Sequence, residues 1–259
     1  MPNAKNISID TEWLKVMSVG ASGSGKSVLA STFPTPGFVF NFGSEIISYA
    51  GEDFDYQEYE LSAAGWGKYE KDFGTLKKCL QEKKRFPEDG KQEDGRYQTV
   101  VIDNVSAMTD LAMEKALQLD PKRSATGGPI WNVHYQLVKN LMEGRLRQLI
   151  NLECNLVLIA HLDFEKDEEG NIIDVGPRMT GTLSVDVPSY FSEVYYHTTR
   201  KEGGETRWVI QTVPLGKNHG RSRLSGKKRI LPDLIDNDYN EIVAYLTGKK
   251  KKAPKQVTG

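Results

Sequence analysis

Residues 14–33 read LKVMSVGASGSGKSVLASTF, and three kinds of sequence follow one another within this stretch. Leu14 to Val19 has the length and apolar content of a buried strand. Gly20 to Gly25 is a glycine-serine turn. Lys26 to Phe33 has helical spacing and stops at Pro34. The segment from Gly20 to Ser27 matches G-x-x-x-x-G-K-[ST] and sits between strand and helix, as that motif requires. Glycines allow successive backbone N–H groups to turn inward around a phosphate, and the following helix presents its positive end to the same anion. The phosphate-binding set is therefore Gly20, Ala21, Ser22, Gly23, Ser24, Gly25, Lys26 and Ser27, with Val28 directly behind. Lys26 would neutralise β- and γ-phosphate charge. The Ser27 hydroxyl suits one position of an octahedral Mg²⁺.

A phosphate loop hydrolyses nothing by itself; a carboxylate on a neighbouring strand end must organise the metal. Thr99-Val-Val-Ile-Asp103 is a β-branched run that fits a central strand, and it ends on a carboxylate that would be costly to bury without a partner. Asp103 is thus the second metal-site residue beside Ser27, the alternative being a simple cap for the helix that begins near Val105. Asn104, rather than Glu, follows it, so a water-activating base must come from elsewhere. Glu45 lies three residues beyond the apolar run Gly37 to Phe42, and it reaches an attacking water if that run neighbours the phosphate-loop strand; a plain surface glutamate is the alternative. His161, ending the strand Asn155 to Ala160, could sense the γ-phosphate or serve as a structural histidine.

The rest of the chain reads as helix over 66–84, an exposed loop from Pro87 to Gly95, helix from Val105 to Leu119 and a Pro/Gly loop from Asp120 to Pro129. Trp131 to Leu152 reads as a long amphipathic helix, and 162–188 as a long excursion. Val194 to Thr198 and Arg207 to Val213 read as strands joined in a hairpin across Glu202-Gly-Gly204, before a last helix from Asp233 to Leu246. No internal repeat or linker divides the chain. The expectation is one domain over residues 1–248 and a disordered basic tail over 249–259.

The 259 residues balance 34 Lys+Arg against 35 Asp+Glu, which excludes a uniformly basic nucleic-acid coat. The balance hides an asymmetry. Residues 43–120 hold 17 acids and 10 bases, whereas residues 200–229 hold nine bases (Arg200, Lys201, Arg207, Lys217, Arg221, Arg223, Lys227, Lys228 and Arg229) and two acids, with Trp208 among them. That second stretch is a candidate anion-binding region. No apolar run approaches the roughly 18 residues of a membrane span, and the start has no signal-peptide core, so a cytoplasmic protein with no membrane partner is expected. The two cysteines, Cys79 and Cys154, read as ordinary thiols.

The phosphate loop, Phe38 to Phe42 with Gly-Ser-Glu45 after it, Thr99 to Asp103 with Asn-Val-Ser after it, and Leu156 to His161 together resemble the RecA/RadA type of ATPase core. Gly176-Pro-Arg-Met-Thr-Gly-Thr-Leu183, running into Val187-Pro-Ser-Tyr-Phe-Ser-Glu-Val194, is similar to phage-encoded RecA-like ATPases of the Sak single-strand annealing type. The resemblance covers residues 13–246. It implies an α/β RecA-like P-loop fold with a mostly parallel central sheet flanked by helices and a C-terminal antiparallel extension. It also implies binding and hydrolysis of ATP with Mg²⁺ between subunits of a ring or filament, and ssDNA binding in phage recombination within a bacterial cytoplasm, with a phage or host single-strand-binding protein as a further partner.

By the same likeness Glu45 is the general base, and a Lys or Arg of one subunit, here Lys217, Arg221 or Arg223, reaches the γ-phosphate held by the next. His161 departs from the Gln that relatives often carry, and Gly43 from their Asp. The two DNA-binding loops would be residues 119–130 and 162–186, with Lys122, Arg123 and Arg178 on phosphates. Trp131 is either a stacking platform for bases or, as its place in the helical pattern favours, a core anchor. Five acids, Asp163, Glu165, Asp167, Glu168 and Glu169, leave only the later part of the second loop fit to meet DNA. An ATP-switched assembly factor for a DNA machine and a small-molecule P-loop kinase are the rival readings. The kinase would need an arginine-rich lid that residues 119–130, with one Arg, do not supply.

Overall fold

The computed structural model describes residues 13–43, 45–87, 93–223 and 231–250. Lys227, Lys228, Arg229 and tail residues 251–259 lie outside them. Six parallel strands make the centre of the sheet: β1 (Lys15–Gly20), β2 (Gly37–Asn41), β3 (Phe54–Glu58), β4 (Thr99–Asp103), β5 (Asn155–Lys166) and β7 (Glu193–Glu202). β8 (Glu205–Gln211) and β12 (Leu234–Asp236) add to β7 antiparallel, giving the order β12-β8-β7-β1-β5-β4-β2-β3. β2 and β4 are buried along their whole length, as strands covered on both faces must be, and this is why they read as continuous apolar runs.

Alternate residues of these strands feed two cores, because side chains along a strand point to opposite faces. Met17, Phe38, Phe40, Val100, Ile102, Leu156 and Leu158 pack with helices α2 (Ala63–Glu82), α3 (Val105–Leu119) and α4 (Gln136–Ile150). Val16, Val39, Val101, Val157 and Ile159 pack with α1 (Lys26–Ser31) and α6 (Tyr239–Leu246) on the other side. α2 starts where the Ser62 hydroxyl accepts from the Gly65 N–H at 3.0 Å. It then buries Trp66, Tyr69, Phe73, Leu76 and Leu80, which recur every three or four residues on one face. The result is an α/β fold with helices on both faces of a mostly parallel sheet.

Four local expectations are corrected. β3 has no counterpart in the sequence reading: its Phe-Asp-Tyr-Gln-Glu pattern is that of a half-exposed edge strand, without the apolar run that marks central ones. The excursion over 162–188 is largely ordered. β5 runs on past His161 and turns back as β6 (Ile172–Pro177), with Asp167 Oδ1 accepting from the backbone N–H groups of Glu169 and Asn171 in the turn; α5 (Leu183–Asp186) follows. Its acids sit on a solvent-exposed ribbon, which is why no buried-strand pattern appears. Trp131–Tyr135 is a single π-helical turn before α4, and the last helix begins at Tyr239, after β12 and the Asp238 cap. The hairpin across Gly203-Gly204 forms as expected, with φ of 59° and 88° at the two glycines, values open to glycine at little cost. β9 (Pro214–Leu215), β10 (Asn218–His219) and β11 (Arg221–Ser222) are short strands after β8. Both cysteines are buried, and the Cys79 thiol donates to the Arg85 carbonyl at 3.4 Å. Among the described residues no helix is long and apolar enough to cross a membrane.

Candidate functional site

β1 delivers Gly20 to the end of the sheet, and the loop from there to Lys26 closes over it before α1 begins. Gly25 has φ of 89°, in the left-handed region, and a Cβ there would stand 2.7 Å from Asn237 Nδ2. A Cβ on Gly20 would stand 2.4 Å from Ser24 Oγ and 2.9 Å from His197 Cβ. Both glycines are therefore fixed by close packing as well as by motif. Lys26 is buried, and its Nζ donates to the Ala21 carbonyl at 2.6 Å, so the side chain curls back inside the loop. Burial lowers its pKa and Asp103 pulls the other way; an anion in the loop would offset the burial penalty.

Asp103 is buried at the tip of β4 and brought to the phosphate loop by strand order. The Ser27 hydroxyl donates to its Oδ2 at 2.8 Å, and the Tyr49 hydroxyl donates to the same oxygen at 3.0 Å. Burial first, then the Asp103 charge, pushes the Tyr49 phenol well above its ordinary range, so it stays protonated and remains a donor. A serine that gives its proton to Asp103 keeps oxygen lone pairs for a cation. The donor set is all oxygen, as Mg²⁺ requires. Among the described residues no three His, Cys, Asp or Glu converge; a cation held at Ser27 and Asp103 would draw further oxygens from water and phosphate. Asn104 is occupied otherwise, its side chain accepting from the Ala107 N–H at 2.8 Å to start α3.

The premise for Glu45 needs correction. β2, the strand before it, does not neighbour β1, because β5 and β4 intervene at about 4.8 Å per strand. The chain returns by another route. Gly43 turns with φ of 93°, Glu45 lies exposed just before a 3₁₀ turn at Ile46–Tyr49, and that turn carries Ser48 and Tyr49 to the site.

His161 does stand beside the loop, opposite Gly20 in the β1–β5 register, with its backbone N–H donating to Ser106 Oγ at 3.1 Å. Burial, then the Lys26 and Arg178 charges, lowers its pKa, which favours neutral imidazole. His197, not singled out by its sequence, lies under the loop on β7. Its Nε2 is 2.6 Å from Ser18 Oγ, and burial followed by Lys26 pushes its pKa down to about 3 against the opposing effect of a backbone hydrogen bond at Ser24.

The three basic candidates after β8 are not equivalent. Arg221 turns inward: its guanidinium donates to the Pro188 carbonyl and, at 3.1 Å, to the Phe191 carbonyl, which leaves it poorly placed to reach another subunit. Lys217 is exposed in the turn between β9 and β10, and Arg223 is exposed after β11. Lys122 is exposed, Arg123 leans on the Leu117, Asp120 and Lys122 carbonyls at the end of α3, and Arg178 pairs with Asp110 at 3.1 Å. Trp131 is not a core anchor. It is 69% exposed and lies against Tyr135 with ring centroids 4.3 Å apart, because the π-helical turn rotates it off the buried face that α4 presents from Val138 onward.

A family model described as an AAA domain matches residues 12–224, most of the chain and all of the site up to β11. The chain belongs to the AAA domain family. The matched span takes in the phosphate loop, Asp103 and His161. No curated protein matches the sequence. Among solved structures, a KaiC-like protein of the archaeon Pyrococcus horikoshii is similar at 10% identity and TM-score 0.43, over 76% of this chain and 77% of that one. The flagellar accessory protein FlaH of Methanocaldococcus jannaschii is similar at 10% identity and TM-score 0.38, over 86% and 88% of the two chains.

Proposed function

We propose that this AAA-domain protein is a Mg²⁺-dependent ATPase that binds ATP between subunits of a ring or filament and couples turnover to ssDNA in phage annealing or recombination. The observation that carries the ATPase reading is the 2.8 Å bond between Ser27 of the phosphate loop and Asp103 of β4, which joins the two halves of a Mg²⁺·triphosphate site. In this reading residues 1–248 are one ATPase domain and 249–259 a basic tail.

Lys26 leaves the Ala21 carbonyl for the β- and γ-phosphates. Ser27 and Asp103 would hold Mg²⁺, which would supply charge neutralisation at the triphosphate. Tyr49 fixes the Asp103 carboxylate. Glu45 takes a proton from the attacking water as its oxygen bonds to the γ-phosphorus and the bond to ADP breaks. His161 faces the same end of the loop as a polar sensor. Lys217 and Arg223 are the candidates for reaching a neighbouring subunit's γ-phosphate. Exposed Trp131 supports the ssDNA reading, since a solvent-facing indole offers a base-stacking surface. His134 holds that loop in shape, its Nδ1 accepting from the Ile130 N–H at 2.7 Å and its Nε2 lying 2.8 Å from the Asp120 carbonyl.

The test is ATP turnover by the purified protein with and without ssDNA, at low and moderate salt. Lys26→Ala should abolish turnover, and Glu45→Gln should retain ATP binding while turnover falls at least a hundredfold, the lower range for a general base. Unchanged turnover in Glu45→Gln would remove that residue from the mechanism. The engagement of Arg178 and Arg123 within the fold favours a second reading, an ATP-switched assembly factor. Nucleotide-dependent assembly without ssDNA affinity would select it.

A further inference from the structure

β7 lies parallel beside β1, with Val16 opposite Glu193 and Val19 opposite Tyr196. One residue further on, Gly20 leaves the sheet to begin the phosphate loop, and His197 stands next to it: a Cβ on Gly20 would come 2.9 Å from His197 Cβ. Ser18 and His197 follow Val16 and Tyr195 by two positions, so all four face the α1 side of the sheet. The imidazole and the Ser18 hydroxyl are both buried, with Nε2 2.6 Å from Oγ. The other groups that act on the ring belong to the loop, a backbone hydrogen bond at Ser24 and the charge of Lys26.

A strand that served only the core would be easier to bury with an apolar side chain at Ser18, as β1 has at Val16, Met17 and Val19. The chain instead places a buried polar pair where β1 becomes the loop. We infer that His197 is a positioning residue of the phosphate loop: anchored by Ser18, its ring forms the floor under Gly20 and Ser24 and so sets the affinity of the loop for a polyphosphate. The inference rests on the phosphate-loop reading above and adds a residue that lies far outside the motif in sequence. A Cβ on Gly20 would also stand 2.4 Å from Ser24 Oγ, so the ring, Gly20 and Ser24 form one packed stack. A shift of the ring therefore passes to the backbone N–H groups that surround a phosphate in this motif, and hydrogen bonds weaken steeply with misalignment. Burial and the Lys26 charge keep the ring neutral, which lets the Lys26 ammonium move above it without repulsion.

Calorimetric titration of the full chain with ATP and, separately, with inorganic tripolyphosphate, both with Mg²⁺, tests the inference beside urea unfolding of each variant. Ser18→Ala removes only the hydroxyl and should weaken both ligands equally, roughly five- to tenfold, the scale of one hydrogen bond. His197→Leu, which fills the space without bonding Ser18, should do the same, and adding Ser18→Ala to it should cost less than about twofold more, because the two side chains act as one pair. His197→Gln, whose amide reaches the place of Nε2, should bring both affinities back to within about threefold of wild type. Lowered stability with both affinities unchanged would make the pair a feature of the core alone and overturn the inference. So would a loss confined to ATP, since the shape of the loop must act on tripolyphosphate as well. If His197→Leu does not fold, Ser18→Ala decides by the same criteria. Failure of the wild-type chain to bind either ligand is a different result and would overturn the phosphate-loop reading itself.

Discussion

Acidification should expose the cost of keeping His197 neutral beneath the phosphate loop. In the fold its pKa is pushed down to about 3 from an ordinary 6.5, first by burial and then by the Lys26 ammonium. In the unfolded chain the imidazole titrates near the ordinary value. A depressed histidine therefore contributes stability that is complete above pH 6.5 and is lost as pH falls toward about 3, because the unfolded chain accepts a proton that the fold refuses. From pH 7 to pH 5 the unfolded group moves about one and a half units below its pKa, which at about 1.4 kcal/mol per unit amounts to about 2 kcal/mol. The assay is reversible urea unfolding at a series of pH values between 7 and 5, for wild type and His197→Gln. The variant removes the titration while the other acid-sensitive groups, among them His161, Asp174 and Asp186, remain common to both chains. Wild type should lose about 2 kcal/mol more than the variant over that interval. Parallel curves, or an NMR titration of the His197 imidazole centred near 6.5, would refute the reasoning.

Tyr49→Phe removes a hydroxyl donor to Asp103 Oδ2 without altering the ring, and the Mg²⁺ concentration for half-maximal turnover should rise about three- to tenfold, the scale of one ordinary net hydrogen bond. A Mg²⁺ titration of turnover checks this, and an unchanged midpoint would take Tyr49 out of orienting the carboxylate. Trp131→Ala should leave ATP turnover without DNA intact, since the side chain is 69% exposed and outside the core, and should weaken ssDNA binding about tenfold in a fluorescence anisotropy titration. Equal ssDNA affinity in both chains would take Trp131 out of the DNA reading.

Much of the fold is legible in local pattern. β1, β2, β4 and the first half of β5 are each enclosed on both faces, so their apolar runs stand out, and α2 and α3 declare themselves by spacing. What escaped is amphipathic by other means. β3 and the β5–β6 ribbon are exposed along one side, so their polar residues resemble loop. Trp131 shows the opposite error: it has the right spacing for a buried helical position, but the turn that carries it is π-helical and faces solvent.

The sequence by itself determined the phosphate loop, because everything that loop needs lies between Gly20 and Val28: glycines for backbone freedom, a lysine, a serine and a helix to follow. Its context of strand and helix is equally local. Tertiary structure decided everything that crosses the sheet. Asp103 meets Ser27 across 76 positions of chain, Trp208 meets Gly23 across 185, and Asn237 meets Gly25 across 212. Strand order also separates β2 from β1, so that Glu45 depends on its loop for reach, while placing His197 directly under Gly20. Periodicity and turn chemistry are set by neighbours along the chain, whereas these pairings follow from which strands lie side by side, and that order is fixed only when both faces of the sheet are packed.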